Sequence, residues 1–153
     1  RDRFRNLSVK SNILGVAEKH FFKKKDLIDF YQNTIKEFGL ESIEDSMGYV
    51  LSGGQRRKVE IARCLAAKPK IILLDEPFAG IDPLAIEDIK NVLKSLSDKG
   101  ICILITDHNL RETIDICNYS IVIKDGSILD KGEKDYLINS SLIKEEYFGT
   151  VFD

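Results

Sequence analysis

Apolar positions recur every three to four residues through the first third of the chain, and the spacing changes abruptly after Pro69. Val9, Ile13, Leu14 and Ala17 fall on one side of a helix that Ser8 can cap. Leu27, Ile28, Tyr31, Ile35 and Phe38 form a second helical stripe, which Gly39 closes. A third helix is predicted over 53–67, stopped before Pro69. Beyond it the unbroken apolar run 71–74 predicts a strand buried on both faces, and 101–106 predicts another. Between them 84–96 reads as an amphipathic helix, with Asp82 as cap and Pro83 in its first turn. Strand, helix, strand predicts a parallel pair. A short helix over 110–117 follows, then a hairpin of 120–123 and 127–129 around Asp125-Gly126 and two short helices over 134–139 and 142–148. The fold class is α/β.

Composition narrows the class without naming a function. A 153-residue chain is near the size of one domain and can bury ~70% of its unfolded surface. With 43% apolar and 31% charged residues it is neither disordered nor fibrous. The net charge of -2 gives no overall basic footprint, so no nucleic-acid partner is expected. The longest apolar run is too short to span a bilayer, and Arg1-Asp2-Arg3 does not begin a secretory signal, so a cytoplasmic chain is expected. Cys64, Cys102 and Cys117 lack metal-ligand spacing and sit in apolar patterns, which predicts buried free thiols. Lys23-Lys24-Lys25 reads as a solvated turn. The sequence opens on Arg1 and its one methionine is Met47, so an incomplete chain is expected.

Chemistry concentrates in two places. Leu51-Ser52-Gly53-Gly54-Gln55 opens the third helix, where two glycines bare the first backbone N–H groups and the positive helix end, and Ser52 adds a hydroxyl. That combination is a phosphate clamp, although the same five residues alone would read as a capped turn. Asp75-Glu76 ends the first strand, where open α/β sheets place their ligands. Adjacent strand residues point apart, so the two acids take two roles: Asp75 for Mg²⁺ through its water shell, and Glu76 as the base for a water that attacks a γ-phosphate. His108, at the end of the second strand, has a ring nitrogen for the same phosphate. His20, beside Phe21-Phe22, has no such setting. No Gly-x-x-x-x-Gly-Lys-Ser/Thr loop occurs in the 153 residues, so a nucleotide is not expected to be held in cis by that route.

Together these residues resemble the ATP-binding cassette family of transport ATPases. Leu51, Ser52, Gly53, Gly54 and Gln55 match its signature, Ile71-Ile72-Leu73-Leu74-Asp75 its Walker B strand and Glu76 its catalytic glutamate. Ala79-Gly80-Ile81-Asp82 matches the D-loop and His108 the switch histidine. The resemblance implies a partial P-loop NTPase fold: a helical subdomain over 1–52, the signature helix over 53–69, and the second half of the mainly parallel core over 70–153. It also implies ATP and Mg²⁺ as cofactors, a head-to-tail dimer with a second ATPase subunit, and two transmembrane permease subunits, through which alone the chain would contact the membrane, peripherally on the cytoplasmic face of the inner membrane. In that dimer the signature of one subunit covers ATP held by the other. Within the family, Asp107-His108-Asn109-Leu110-Arg111-Glu112-Thr113 looks most like lipopolysaccharide exporters, while Tyr147-Phe148-Gly149 is shared with branched-chain amino acid importers. Phe4-Arg5 corresponds to the edge of the groove that seats the permease helices, and reads equally as a frayed terminus.

Two other classes compete. The carboxyl lobe of a DNA-repair or chromosome-maintenance ATPase would carry the same motifs, but residues 8–50 have no sustained heptads. A non-catalytic regulatory partner that keeps Glu76 and His108 by descent is the other. With part of the sheet missing, an uncovered edge and poor solubility are expected of this chain alone.

Overall fold

The computed structural model describes residues 2–148, and the tail after Phe148, with the Gly149 of the shared ending, lies outside the described residues. The chain divides into two compact units, one up to Leu104 and one from Ile105.

In the first unit a short helix the pattern did not predict, α1 (Asp2–Arg5), precedes the three predicted helices, which become α2 (Val9–Ala17), α3 (Lys24–Glu37) and α4 (Gly53–Leu65). Ser8 caps α2 by accepting from Ser11 N at 3.1 Å, as its position before Val9 requires. Gly39 ends α3 at φ +59°, a left-handed turn that glycine adopts without strain. A 3₁₀ turn, Glu41–Ile43, then leads back along the start of the chain, where Ser8 and Met47 form an isolated bridge. Val9, Ile13, Phe38, Leu40, Val59 and Ile61 are the centre of this core.

Phe4 is not frayed. Its ring is only 9% exposed and lies under the Arg63 guanidinium at 5.3 Å. The buried Asn12 amide nitrogen lies within hydrogen-bond reach of the carbonyls of Phe4, Leu7 and Ser8, so its two N–H groups are shared among three backbone acceptors where the chain turns into α2. The lysine run also differs from the expectation: Lys23 is the N-cap of α3, and Lys24 and Lys25 begin the helix, all of them exposed.

β1 (Ile71–Asp75) and β2 (Cys102–Thr106) are neighbours in a two-stranded sheet and are linked through α5 (Pro83–Asp98). Their burial corrects the expectation of strands covered on both faces. Ile72 is buried, but Ile71, Leu73 and Leu104 are exposed, Leu73 by 71%. The apolar run was right and its cover is one-sided: the residues described bury one pleat and leave the other bare. The cysteines are corrected as well. Cys64 and Cys102 are exposed and Cys117 is half-buried. Cys64 lies two residues beyond the buried Ala62 on α4, which turns it to the opposite side of the helix, and Cys102 sits on the uncovered pleat with Leu104.

The second unit holds α6 (Leu110–Ile116), the hairpin of β3 (Ser120–Lys124) and β4 (Ser127–Gly132), α7 (Lys134–Asn139) and α8 (Ser141–Ile143), which runs into a π turn, Lys144–Phe148. Asp125 and Gly126 both have positive φ, +49° and +75°, the turn that matches the twist of a two-residue hairpin. Ile114, Val122, Leu137 and Ile143 form its core. Among the described residues no helix is long and apolar enough to cross a membrane.

Candidate functional site

The five residues from Leu51 to Gln55 adopt a capping box. Ser52 Oγ accepts from Gln55 N at 3.2 Å, and Gln55 Oε1 accepts from Ser52 N at 3.0 Å. The Gln55 side chain is thus committed to its own helix end, while the Ser52 hydroxyl keeps a proton to donate. Gln55 N and Arg56 N already bond to Ser52, so the first two N–H groups of α4, those of Gly53 and Gly54, are the ones a helix leaves for an outside acceptor. Ser52 and Gly53 are exposed; Leu51 and Gly54 are buried beneath them.

The two glycines also have a packing reason that the sequence did not disclose. A Cβ on Gly53 would lie 3.2 Å from the Gly80 carbonyl, and one on Gly54 would lie 2.4 Å from the Ala85 Cβ. The loop of residues 79–82 and the first turn of α5 therefore press directly on the start of α4. Asp82 caps α5, accepting from Ala85 N at 3.0 Å, and Gly80 has φ +67°. The cap fixes Ala85, and Ala85 excludes any side chain at position 54.

Asp75 and Glu76 are both exposed at the end of β1, followed by the buried Pro77 and Phe78. Glu76 has φ +46°, a left-handed conformation that costs ~1 kcal/mol or more for a residue other than glycine. Two backbone contacts hold it there. Ala79 N donates to the Glu76 carbonyl at 3.3 Å, and Arg57 Nη2 reaches the same oxygen at 3.2 Å. Arg57 also bonds Glu60 at 2.9 Å, so a side chain from the second turn of α4 ties the signature helix to the acid-bearing turn. Sequence reasoning gave Arg57 no role; its place one turn after the glycines was the available signal.

His108 belongs to the second unit. Its ring is 72% exposed, with Nδ1 3.7 Å from Oδ1 of Asp107, whose side chain is fully buried. Asp107 accepts from Asn109 N at 2.8 Å, and Asn109 caps α6 through Glu112 N at 3.3 Å. Asp107 is a second residue that the motif reading passed over. A buried carboxylate bonded two residues on is an Asx turn, and it holds the loop that presents His108.

Signature, acid pair and the 79–82 loop are thus brought together in the first unit by direct contacts, and His108 is carried on the second. Among the described residues no group of three His, Cys, Asp or Glu is arranged to enclose a metal ion. The exposed Asp75 and Glu76 carboxylates are of the kind that Mg²⁺ takes, since it keeps several waters and binds through one or two carboxylates plus phosphate oxygens.

A family model described as ABC transporter matches residues 2–79. The lipopolysaccharide export system ATP-binding protein LptB of Haemophilus influenzae is 44% identical over 97% of this chain, and that of Escherichia coli K12 is 43% identical over the same share. The chain spans 62% of the length of each of these relatives. Among solved structures, cbiO1 from Clostridium perfringens, part of the transporter complex cbiONQ, superposes with a TM-score of 0.83 at 26% identity, covering 94% of this chain and 58% of that one. The ADP conformation of MJ1267, an ATP-binding cassette of an ABC transporter, gives 0.78 at 26% identity, covering 97% and 65%. With the signature glycines, the acid pair and the α/β frame all in place, this chain belongs to the ATP-binding cassette transporter family.

Proposed function

We propose that this chain is the signature-bearing part of an ATP-hydrolysing subunit that powers lipopolysaccharide export. The observation that carries the reading is 44% identity to a lipopolysaccharide export ATP-binding protein across 97% of the chain. Residues 1–52 form the helical subdomain, 53–69 the signature helix, and 70–153 the second part of the nucleotide-binding core.

Leu51, Ser52, Gly53, Gly54 and Gln55 cover the phosphates of an ATP held by a second ATPase subunit, arranged head to tail. Gly53 and Gly54 supply N–H groups, Ser52 supplies its hydroxyl, and Leu51 and Gln55 fix the turn. Asp82 holds the loop at that interface and caps α5. Asp75 is the metal-side carboxylate, Glu76 takes the proton of the attacking water, and His108 donates to the γ-phosphate. Mg²⁺, when bound with ATP, neutralises charge on the β- and γ-phosphate oxygens. Glu76 suits the base role because Arg57 and the left-handed turn fix its backbone while its side chain stays accessible. Two transmembrane permease subunits receive the motion, which places the working protein on the cytoplasmic face of the inner membrane.

Supplied with an amino-terminal segment that carries a phosphate loop, the protein hydrolyses ATP with Mg²⁺. Glu76→Gln then retains ATP binding and lowers turnover by about 10²–10⁴, the usual contribution of a general base, while closed dimer accumulates. Undiminished turnover in that variant removes Glu76 from the role. The 153-residue chain alone is expected to show no ATPase activity. Hydrolysis by it that Glu76→Ala abolishes would overturn that expectation.

A further inference from the structure

The turn between α2 and α3 carries a feature that the transport chemistry does not use. Phe21 is held firmly: its ring stacks on Phe30 with centroids 4.8 Å apart, and Lys68 Nζ lies 4.2 Å from its centre. Lys68 itself sits at φ +51°, in a left-handed turn after α4. With Phe21 so fixed, the next residue is carried outward, and Phe22 is 100% exposed. Around it Lys19, Lys23, Lys24, Lys25 and, through its contact with Phe21, Lys68 are all exposed, against Glu18 and Asp26 at the two margins. In a chain whose net charge is -2, this is a local excess of positive charge surrounding one bare aromatic ring.

We propose that this turn is a contact for an anionic phospholipid surface, with Phe22 entering the headgroup layer and the lysines facing lipid phosphates. An exposed apolar ring is unfavourable in water and favourable at a bilayer interface, and each nearby lysine adds attraction to anionic lipid. Single-stranded nucleic acid, the other polyanion of interest, is read by stacking successive bases on several open aromatic faces. Here Phe30 and Lys68 lie against the Phe21 ring, so of the two phenylalanines it is Phe22 that presents an open face. The contact needs neither nucleotide nor permease, so it stands or falls apart from the ATPase reading.

The chain contains no tryptophan, so Phe22→Trp provides a single reporter at the apex. With vesicles of equal parts phosphatidylglycerol and phosphatidylcholine, its emission is expected to shift to the blue and the chain to co-sediment. Pure phosphatidylcholine gives neither response, and about 1 M salt, where the screening length is about 3 Å, abolishes both. Replacing Lys23, Lys24 and Lys25 together by Gln weakens binding about a hundredfold, at roughly fivefold per lysine. Phe22→Ser weakens it about tenfold. None of these side chains is packed, so the fold is retained, and Leu73→Ser on the bare pleat leaves vesicle binding unchanged. Undiminished binding in the triple lysine variant, loss of binding in Leu73→Ser, or a reporter that answers single-stranded RNA but not vesicles overturns the proposal.

Discussion

Gly54 and Ala85 are in such close register that a methyl group on Gly54 would sit 2.4 Å from the Ala85 Cβ, well inside van der Waals contact. The glycine proposed to bare an amide for phosphate is therefore also the glycine that lets α5 approach α4. Gly54→Ala would gain ~1 kcal/mol of helix propensity but force apart two helices that cannot yield cheaply, at about 1–3 kcal/mol for overpacking. Net destabilisation is expected in urea melts. Combining it with Ala85→Gly should recover part of the loss, giving a coupling energy on the order of 1 kcal/mol in a double-mutant cycle. A simple sum of the two single effects would show that the helices adjust without strain.

Strain at Glu76 leads to a second test. A glutamate at φ +46° is retained against its own preference, held by Ala79 N and Arg57 at its carbonyl. Asparagine tolerates the left-handed region better than other non-glycine residues. Glu76→Asn is thus expected to leave stability unchanged or raise it by up to ~1 kcal/mol while removing the proposed base. Arg57→Ala should cost ~1 kcal/mol and loosen the turn, seen as faster hydrogen exchange at the Ala79 amide. Equal destabilisation by Asn and by a β-branched residue at 76 would mean that the backbone there is not strained.

How much of this was legible in the sequence depends on whether the determinant was local. The cap at Ser8, the glycine end of α3, the Asp82-Pro83 start of α5 and the Asp125-Gly126 hairpin were all readable, because each is set by chemistry within four residues. The dual duty of Gly54, the grip of Arg57 on Glu76 and the buried Asp107 behind His108 were not, because each depends on a partner placed by the fold or on depth of burial. The strand faces were misread for a related cause. An apolar run says that cover is required and not which residues provide it.

Tyr31 tests the helical unit by pH. Its phenol is buried and donates to Glu44 Oε2, and burial, followed by the hydrogen bond and the nearby Glu44 and Asp45 charges, pushes its pKa well above the usual tyrosine value. In the unfolded chain the phenol loses its proton near pH ~10, while the folded one still holds it. The unfolded state then binds fewer protons, so stability is fully present below that pH and falls as pH rises beyond it. Tyr31→Phe should cost about 1–3 kcal/mol at neutral pH by leaving Glu44 without its donor, and should flatten the decline above pH ~10. An unchanged alkaline slope in the variant would assign the decline to other groups.

The bare pleat of β1 and β2 sets the solution behaviour of the chain on its own. Ile71, Leu73 and Leu104 present branched apolar side chains on a short strand pair, and such a surface is a template for association. Leu73 is 71% exposed, so replacing it with serine removes little packing and should change stability by less than about 0.5 kcal/mol. The same change removes apolar area from the surface that drives association, and pairing it with Ile71→Ser removes more. Sedimentation velocity at rising concentration should show self-association of the parent chain, reduced in Leu73→Ser and further reduced in the double variant. A parent chain that stays a single monomeric species and melts cooperatively would mean that this pleat is protected in solution by some other arrangement of the chain.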